Sequence, residues 1–163
     1  MRPPEAARLS SPRSKSIYLP RWDIRKPVPD RLDKGFMRIL VVDDHPDSCD
    51  SLARCFSHFG HVVAVAGDLE TGLSFLDEHQ FDAIIADIVL PDGTGYALIS
   101  EARRRGVDSV AIAITGYGYP RDALEPGATG FDYHLTKPLN CEQICSLVEE
   151  GVRTRQLRSD PRL

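Results

Sequence analysis

Polar side chains stand where four apolar runs stop. Arg38-Ile39-Leu40-Val41-Val42 ends on Asp43-Asp44, Ala83-Ile84-Ile85-Ala86 on Asp87, Val110 to Ile114 on Thr115, and Phe131 to Thr136 on Lys137. A carboxylate at the end of a buried run is costly unless opposite charge meets it. Three carboxylates within about 4–6 Å repel one another by several kcal/mol in total at an effective dielectric near 20, so the set calls for a cation. An all-oxygen site with few protein ligands and room for water suits Mg²⁺, or Mn²⁺ in its place. With the ion bound, one carboxylate stays free enough to attack a phosphoryl group. Thr115 can then hydrogen-bond a phosphoryl oxygen while Lys137 neutralises the new charge.

The elements that must bring these groups together follow from hydrophobic periodicity. Each short apolar run reads as a buried strand, and Val62 to Ala66 adds one more. Between them lie amphipathic helices: one starting at His45-Pro46-Asp47 and stopping at Gly60, one capped by Asp68, one from about Tyr96 to Arg105, and one capped by Asn140 and running to about Thr154. The weakest is expected over residues 120–127, closed early by Pro126 and Gly127. Five strands each followed by a helix imply a parallel sheet covered on both faces. In such folds the ligand crevice lies beyond the carboxyl ends of the strands.

Charge divides the 163 residues into two kinds of chain. Residues 1–36 hold nine Lys or Arg against four acids and six prolines, whereas residues 37–163 hold eleven against twenty. The first part is expected to be a disordered basic tail in which Ile17 to Trp22 is the one apolar patch, and Met37 is an alternative start. No run of about 18 apolar residues and no hydrophobic signal core are present, so a cytoplasmic protein with no membrane span is expected. Cys49, Cys55, Cys141 and Cys145 form no C-x-x-C unit and read as plain buried or half-buried thiols, although Cys141 and Cys145 are one helical turn apart.

The order Asp43-Asp44, Asp87, Thr115, Lys137-Pro138, with Leu90-Pro91-Asp92-Gly93-Thr94-Gly95 after the central aspartate, resembles the receiver domain of two-component response regulators. The resemblance covers nearly all of Met37 to about Thr154. It implies an α/β, flavodoxin-like, doubly wound three-layer fold with a five-stranded parallel sheet in the order 2-1-3-4-5, flanked by tails at 1–36 and 155–163. It also implies that Asp87 accepts a phosphoryl group from a phosphohistidine, on a histidine kinase or a histidine phosphotransfer protein. Asp44 would ligate Mg²⁺ directly, Asp43 nearby or through water, and the backbone carbonyl of Val89 would complete the protein's share. Phosphorylation would draw Thr115 toward the phosphoryl oxygens and turn an aromatic ring, three residues before the lysine, inward.

The chain departs from that pattern at the last point, because position 134 is His134 and Tyr133 is out of register by one. A histidine there resembles the receivers of hybrid sensor kinases and makes His134 the switch candidate. Val89 and Tyr117, beside the expected phosphoryl position, are neither acid nor amide, so slow self-dephosphorylation is expected. The few residues after the last helix leave no room for a helix-turn-helix or a catalytic module, so a stand-alone receiver is expected, a signalling phosphoacceptor and not an enzyme. It would dock an unidentified output protein and bind no specific DNA. Two other readings differ in class. An aspartyl-phosphate phosphatase of the haloacid dehalogenase type needs an acid two residues after its nucleophile, where this chain has His45. A pseudo-receiver scaffold would lack one of the key acids or the lysine, and all are present.

Overall fold

The computed structural model describes residues 35–116 and 130–162, together with the backbone of 15–18. Strands β2 (Arg38–Val42), β3 (Val62–Ala66), β4 (Ala83–Asp87), β7 (Val110–Thr115) and β8 (Tyr133–Thr136) form a parallel sheet in the order β3-β2-β4-β7-β8. This is the expected five-stranded arrangement. Alternate strand residues face opposite layers. Ile39, Val41, Ile85, Ile112 and Ile114 pack under α1 (Pro46–His58) and α4 (Cys141–Arg158), whereas Leu40, Val42, Ile84 and Ala113 pack under α2 (Leu69–Glu78) and α3 (Gly95–Arg104). Phe56, Phe75, Leu98 and Ile144 are fully buried in these layers, each contributing about 1.5–3 kcal/mol of burial free energy. Among the described residues no helix is long and apolar enough to cross a membrane.

Local chemistry sets the helix starts. The side chains of Asp68, Thr94 and Asn140 each accept the backbone N–H three residues on, and proline opens α1. Two further short strands, β5 (Val89–Leu90) and β6 (Gly93–Thr94), fold the Leu90 to Gly95 segment into a ribbon. The ribbon leads into α3 at Gly95, where a Cβ would lie 2.5 Å from the carbonyl oxygen of Asp87. Only glycine permits that approach of helix to strand end.

Three expectations are corrected. Lys15–Tyr18 lie within the tail expected to be disordered, yet they form β1, an antiparallel strand paired with β3 at the sheet edge. An open sheet edge offers main-chain groups to any extended segment, and composition does not show which segment takes them. The last helix continues past Thr154 to Arg158, because Arg155 is held by Asp132 and Asp108 and the last-turn arginines suit the helix dipole. The cysteines are not all free thiols: Cys55 of α1 is bonded to Cys141 at the start of α4. The helix expected over 120–127 and Tyr117 lie outside the described residues.

The N-terminal end of the sheet is closed by a polar network. Asp132 receives the backbone N–H of Ala111 at 2.7 Å and a two-pronged contact from Arg155 at 2.7 and 2.8 Å. Arg103 spans the carbonyls of Val107, Ser109 and Gly130, and Arg155 also meets Asp108.

Candidate functional site

At the other end, β2, β4, β7 and β8 deliver polar residues at or just past their last positions. Asp43 sits just past β2, with its backbone N–H bonded to the carbonyl of Ala66 and a side chain that is fully buried. Asp87 is the last residue of β4 and is only 6% exposed. Lys137 follows β8 and its ammonium bridges the two, 2.9 Å from Asp43 Oδ2 and 3.0 Å from Asp87 Oδ2. The Lys137–Pro138 peptide bond is cis. Burial disfavours the charged lysine, but the hydrogen bonds and charges of Asp43 and Asp87 outweigh it and hold its pKa above the ordinary lysine value.

The remaining oxygens are partly committed. Asp87 Oδ1 accepts the backbone N–H of Val89 at 2.9 Å, and Asp43 Oδ1 accepts that of His45 at 2.9 Å. The His45 ring places Nδ1 3.1 Å from Asp43 and 3.0 Å from Asp44. Asp44 is the open member of the set, with a side chain 36% exposed. One ligand atom from each of Asp43, Asp44, His45 and Asp87 lies within 4.8 Å of the others. Two carboxylates about 4 Å apart repel by on the order of 4 kcal/mol at an effective dielectric of 20, and one lysine cannot offset three acids. Hard carboxylate oxygens in this number, with one carboxylate open to solvent, fit a divalent cation of the Mg²⁺ type.

Sequence reasoning named every member of this cluster except His45, which it took as the residue opening α1 and as the residue where a phosphatase would carry its second acid. The available signal was its position directly after the acidic pair. Thr115 also lies at this end, buried as the last residue of β7 opposite Thr136, but its hydroxyl donates to the carbonyl of Leu135 at 3.4 Å. Val89 stands across from Thr94 in the ribbon, 63% exposed. His134 pairs with Ala113 in mid-strand, its ring 5.7 Å from that of Phe131, and burial pushes its pKa down. Tyr133, as expected from strand alternation, packs into the opposite layer with Val110 and Gly151.

Comparison with known proteins agrees with this geometry. Residues 39–149 match the family described as the response regulator receiver domain. The chain is 34% identical over 116 residues to an uncharacterised 14.6 kDa protein of Leptolyngbya boryana, covering 70% of this chain and 88% of that one. It is 32% identical over 108 residues to the transcriptional regulatory protein TcrA of Mycobacterium tuberculosis, covering 66% of this chain but 43% of that protein. With the sensor histidine kinase RcsC of Escherichia coli it shares 31% identity over 124 residues, 74% of this chain and 13% of the kinase. Among solved structures, the CheY-like response regulator receiver domain protein of Methanospirillum hungatei superposes with a TM-score of 0.70 at 26% identity, over 76% of this chain and 99% of that one. The chain belongs to the response regulator receiver domain family.

Proposed function

We propose that Asp87 is the phosphoacceptor of a two-component or phosphorelay system, taking a phosphoryl group from the phosphohistidine of a histidine kinase or a histidine phosphotransfer protein. The observation that carries this reading is the Lys137 bridge between two buried carboxylates, beside a third that is open to solvent. In the transfer, an Asp87 oxygen forms the new O–P bond as the N–P bond of the donor breaks, and the leaving imidazole takes up a proton. Lys137 already lies within hydrogen-bond distance of Asp87 Oδ2 and remains to pair with the phosphoryl oxygens. Asp44, with Asp43 and Asp87, would hold Mg²⁺, with Mn²⁺ able to substitute and the Val89 carbonyl adjacent. When bound, the ion shields the acids and neutralises charge on the transferred group. Asp43, both of whose oxygens are engaged by Lys137 and His45, would act nearby or through water.

The similarity to a sensor histidine kinase supports a phosphohistidine donor. Phosphorylation would then alter docking to an output protein, with Thr115 exchanging the Leu135 carbonyl for a phosphoryl oxygen. A signalling phosphoacceptor is favoured over a phosphatase because His45, two residues beyond Asp43, is clasped by Asp43 and Asp44 and supplies no second acid. The reading is tested by incubating the chain with a phosphorylated histidine phosphotransfer protein, with and without Mg²⁺, separating the two proteins and following alkali- and hydroxylamine-labile label on the chain. Label is expected on the wild-type chain only with the metal and never on Asp87→Ala. Labelled Asp87→Ala protein would reject the assignment.

A further inference from the structure

We propose that Cys55 and Cys141, with Cys145 beside them, form a redox-modifiable thiol site whose reactants are low-molecular-weight disulfides and thiols, and whose closed bond holds the Lys137-bearing loop against α1. Cys55 and Cys141 are bonded with their Cα atoms 5.8 Å apart across 86 residues of sequence. That separation suits a disulfide without backbone movement. Cys145, one turn further along α4, brings its sulfur to 3.6 Å from that of Cys55.

Position sorts the four cysteines into two pairs. Cys49 is buried at 5% exposure with its thiol donating to the Asp43 carbonyl. Cys145 is buried at 3%, and burial followed by the Glu149 charge pushes it up to about 11. Burial keeps both out of reach of a small reagent, and they react poorly. Cys141 is exposed, on the first residue of an 18-residue helix whose dipole favours an anionic sulfur when the bond is open, and Cys55 is half-buried next to it. These two are the pair that a small thiol reagent reaches.

Closure balances with a disulfide as oxidant. The Cys141 thiolate attacks one sulfur of R–S–S–R, forming a mixed disulfide and expelling one thiolate, which becomes R–SH by taking the proton that Cys141 gave up. Cys55 then loses its proton, attacks the Cys141 sulfur and expels the second thiolate. Two protein thiols and one R–S–S–R become one protein disulfide and two R–SH, and excess thiol reverses both steps. Cys141 is four residues beyond Lys137, so the bond ties the segment carrying the site lysine to α1, whose first turns follow Asp43 and Asp44.

The test uses the full chain, reduced and then exposed to oxidised glutathione, denatured and alkylated. Four alkylated cysteines are expected after reduction and two, Cys49 and Cys145, after oxidation, with one peptide pair linked through Cys55 and Cys141. Backbone amides of Lys137, Leu139, Asn140 and Cys141 should exchange with solvent about tenfold more slowly in the oxidised chain. The oxidised wild type should also melt about 5 °C or more above the reduced form. Cys141→Ser, at an exposed position, should abolish all three differences. Four alkylatable thiols after oxidation, linkage of any other pair, a stable glutathione adduct without closure, or unchanged exchange would each overturn the proposal. No phosphoryl donor enters these measurements, and Asp87→Ala protein should give the same counts, so the thiol site stands or fails apart from the phosphoacceptor reading.

Discussion

At the N-terminal end of the sheet two arginines, Arg103 and Arg155, meet two aspartates, Asp108 and Asp132, whereas at the C-terminal end, among the described residues, one lysine bridges Asp43 and Asp87 with Asp44 beside them. Both clusters sit where strands stop, and both use carboxylates to receive backbone N–H groups: Ala111 on Asp132 at one end, His45 and Val89 on Asp43 and Asp87 at the other. The difference lies in whether charge cancels. A cancelled network closes on itself and fixes the starts of β7 and β8 and the last turn of α4. An uncancelled one stores repulsion that a bound cation relieves, and it therefore responds to ligands.

The largest expected effect follows from removing Lys137, the cation that bridges Asp43 and Asp87 at the uncancelled end. Lys137→Ala should slow phosphoryl transfer to Asp87 by about 10²–10³-fold, as for loss of an electrostatic stabiliser of transition-state charge. Transfer kinetics at saturating Mg²⁺ measure it, and a rate within threefold of wild type would break the assigned role. At the cancelled end the corresponding change should cost folding instead. Asp132→Ala leaves Arg155, Arg103 and the Ala111 N–H short of an acceptor, and about 2–3 kcal/mol should be lost in urea unfolding. A loss below about 0.5 kcal/mol would mean that the network contributes no more than an ordinary surface pair. The sign should reverse for Asp44→Asn. Neutralising one of three crowded acids should raise stability by about 0.5–1 kcal/mol in metal-free buffer and abolish the rise in melting temperature that Mg²⁺ gives the wild type. Destabilisation by this variant in metal-free buffer would contradict stored repulsion.

The sequence showed the uncancelled end more clearly than the cancelled one. Asp43, Asp87 and Lys137 each terminate an apolar run, so strand length alone brings them to one edge, and the parallel connection puts those edges side by side. Arg103, Asp108, Asp132 and Arg155 lie on a helix, two loops and another helix, with no periodicity to announce that they meet. Thr115 was placed correctly along the chain, but which acceptor its hydroxyl chooses depends on the local path of β8. The Cys55–Cys141 bond joins residues 86 apart with no spacing rule to relate them. Lys15–Tyr18 were hidden by the prolines on either side of them.

The smallest effect probes the cancelled end through pH. His61 lies at that end, 3% exposed, with Nδ1 accepting the backbone N–H of Met37 and Nε2 3.8 Å from Glu149. Burial lowers its pKa, and the nearby Glu149 carboxylate only partly restores it. The unfolded chain, titrating near the ordinary histidine value of about 6.5, therefore binds a proton before the folded one does. Stability attributable to His61 is full above that value and should decline as pH falls through it toward the lower folded pKa, where the slope ends. His134 is shifted downward by burial as well, so His61→Gln should flatten the acid-side decline in part and His61→Gln with His134→Gln further. Glu149→Gln removes the contribution that raises the His61 pKa and should steepen the decline. Urea unfolding from pH 8 to pH 5 reads all three, and a slope that Glu149→Gln makes shallower would show that the carboxylate does not favour protonated His61 in the folded chain.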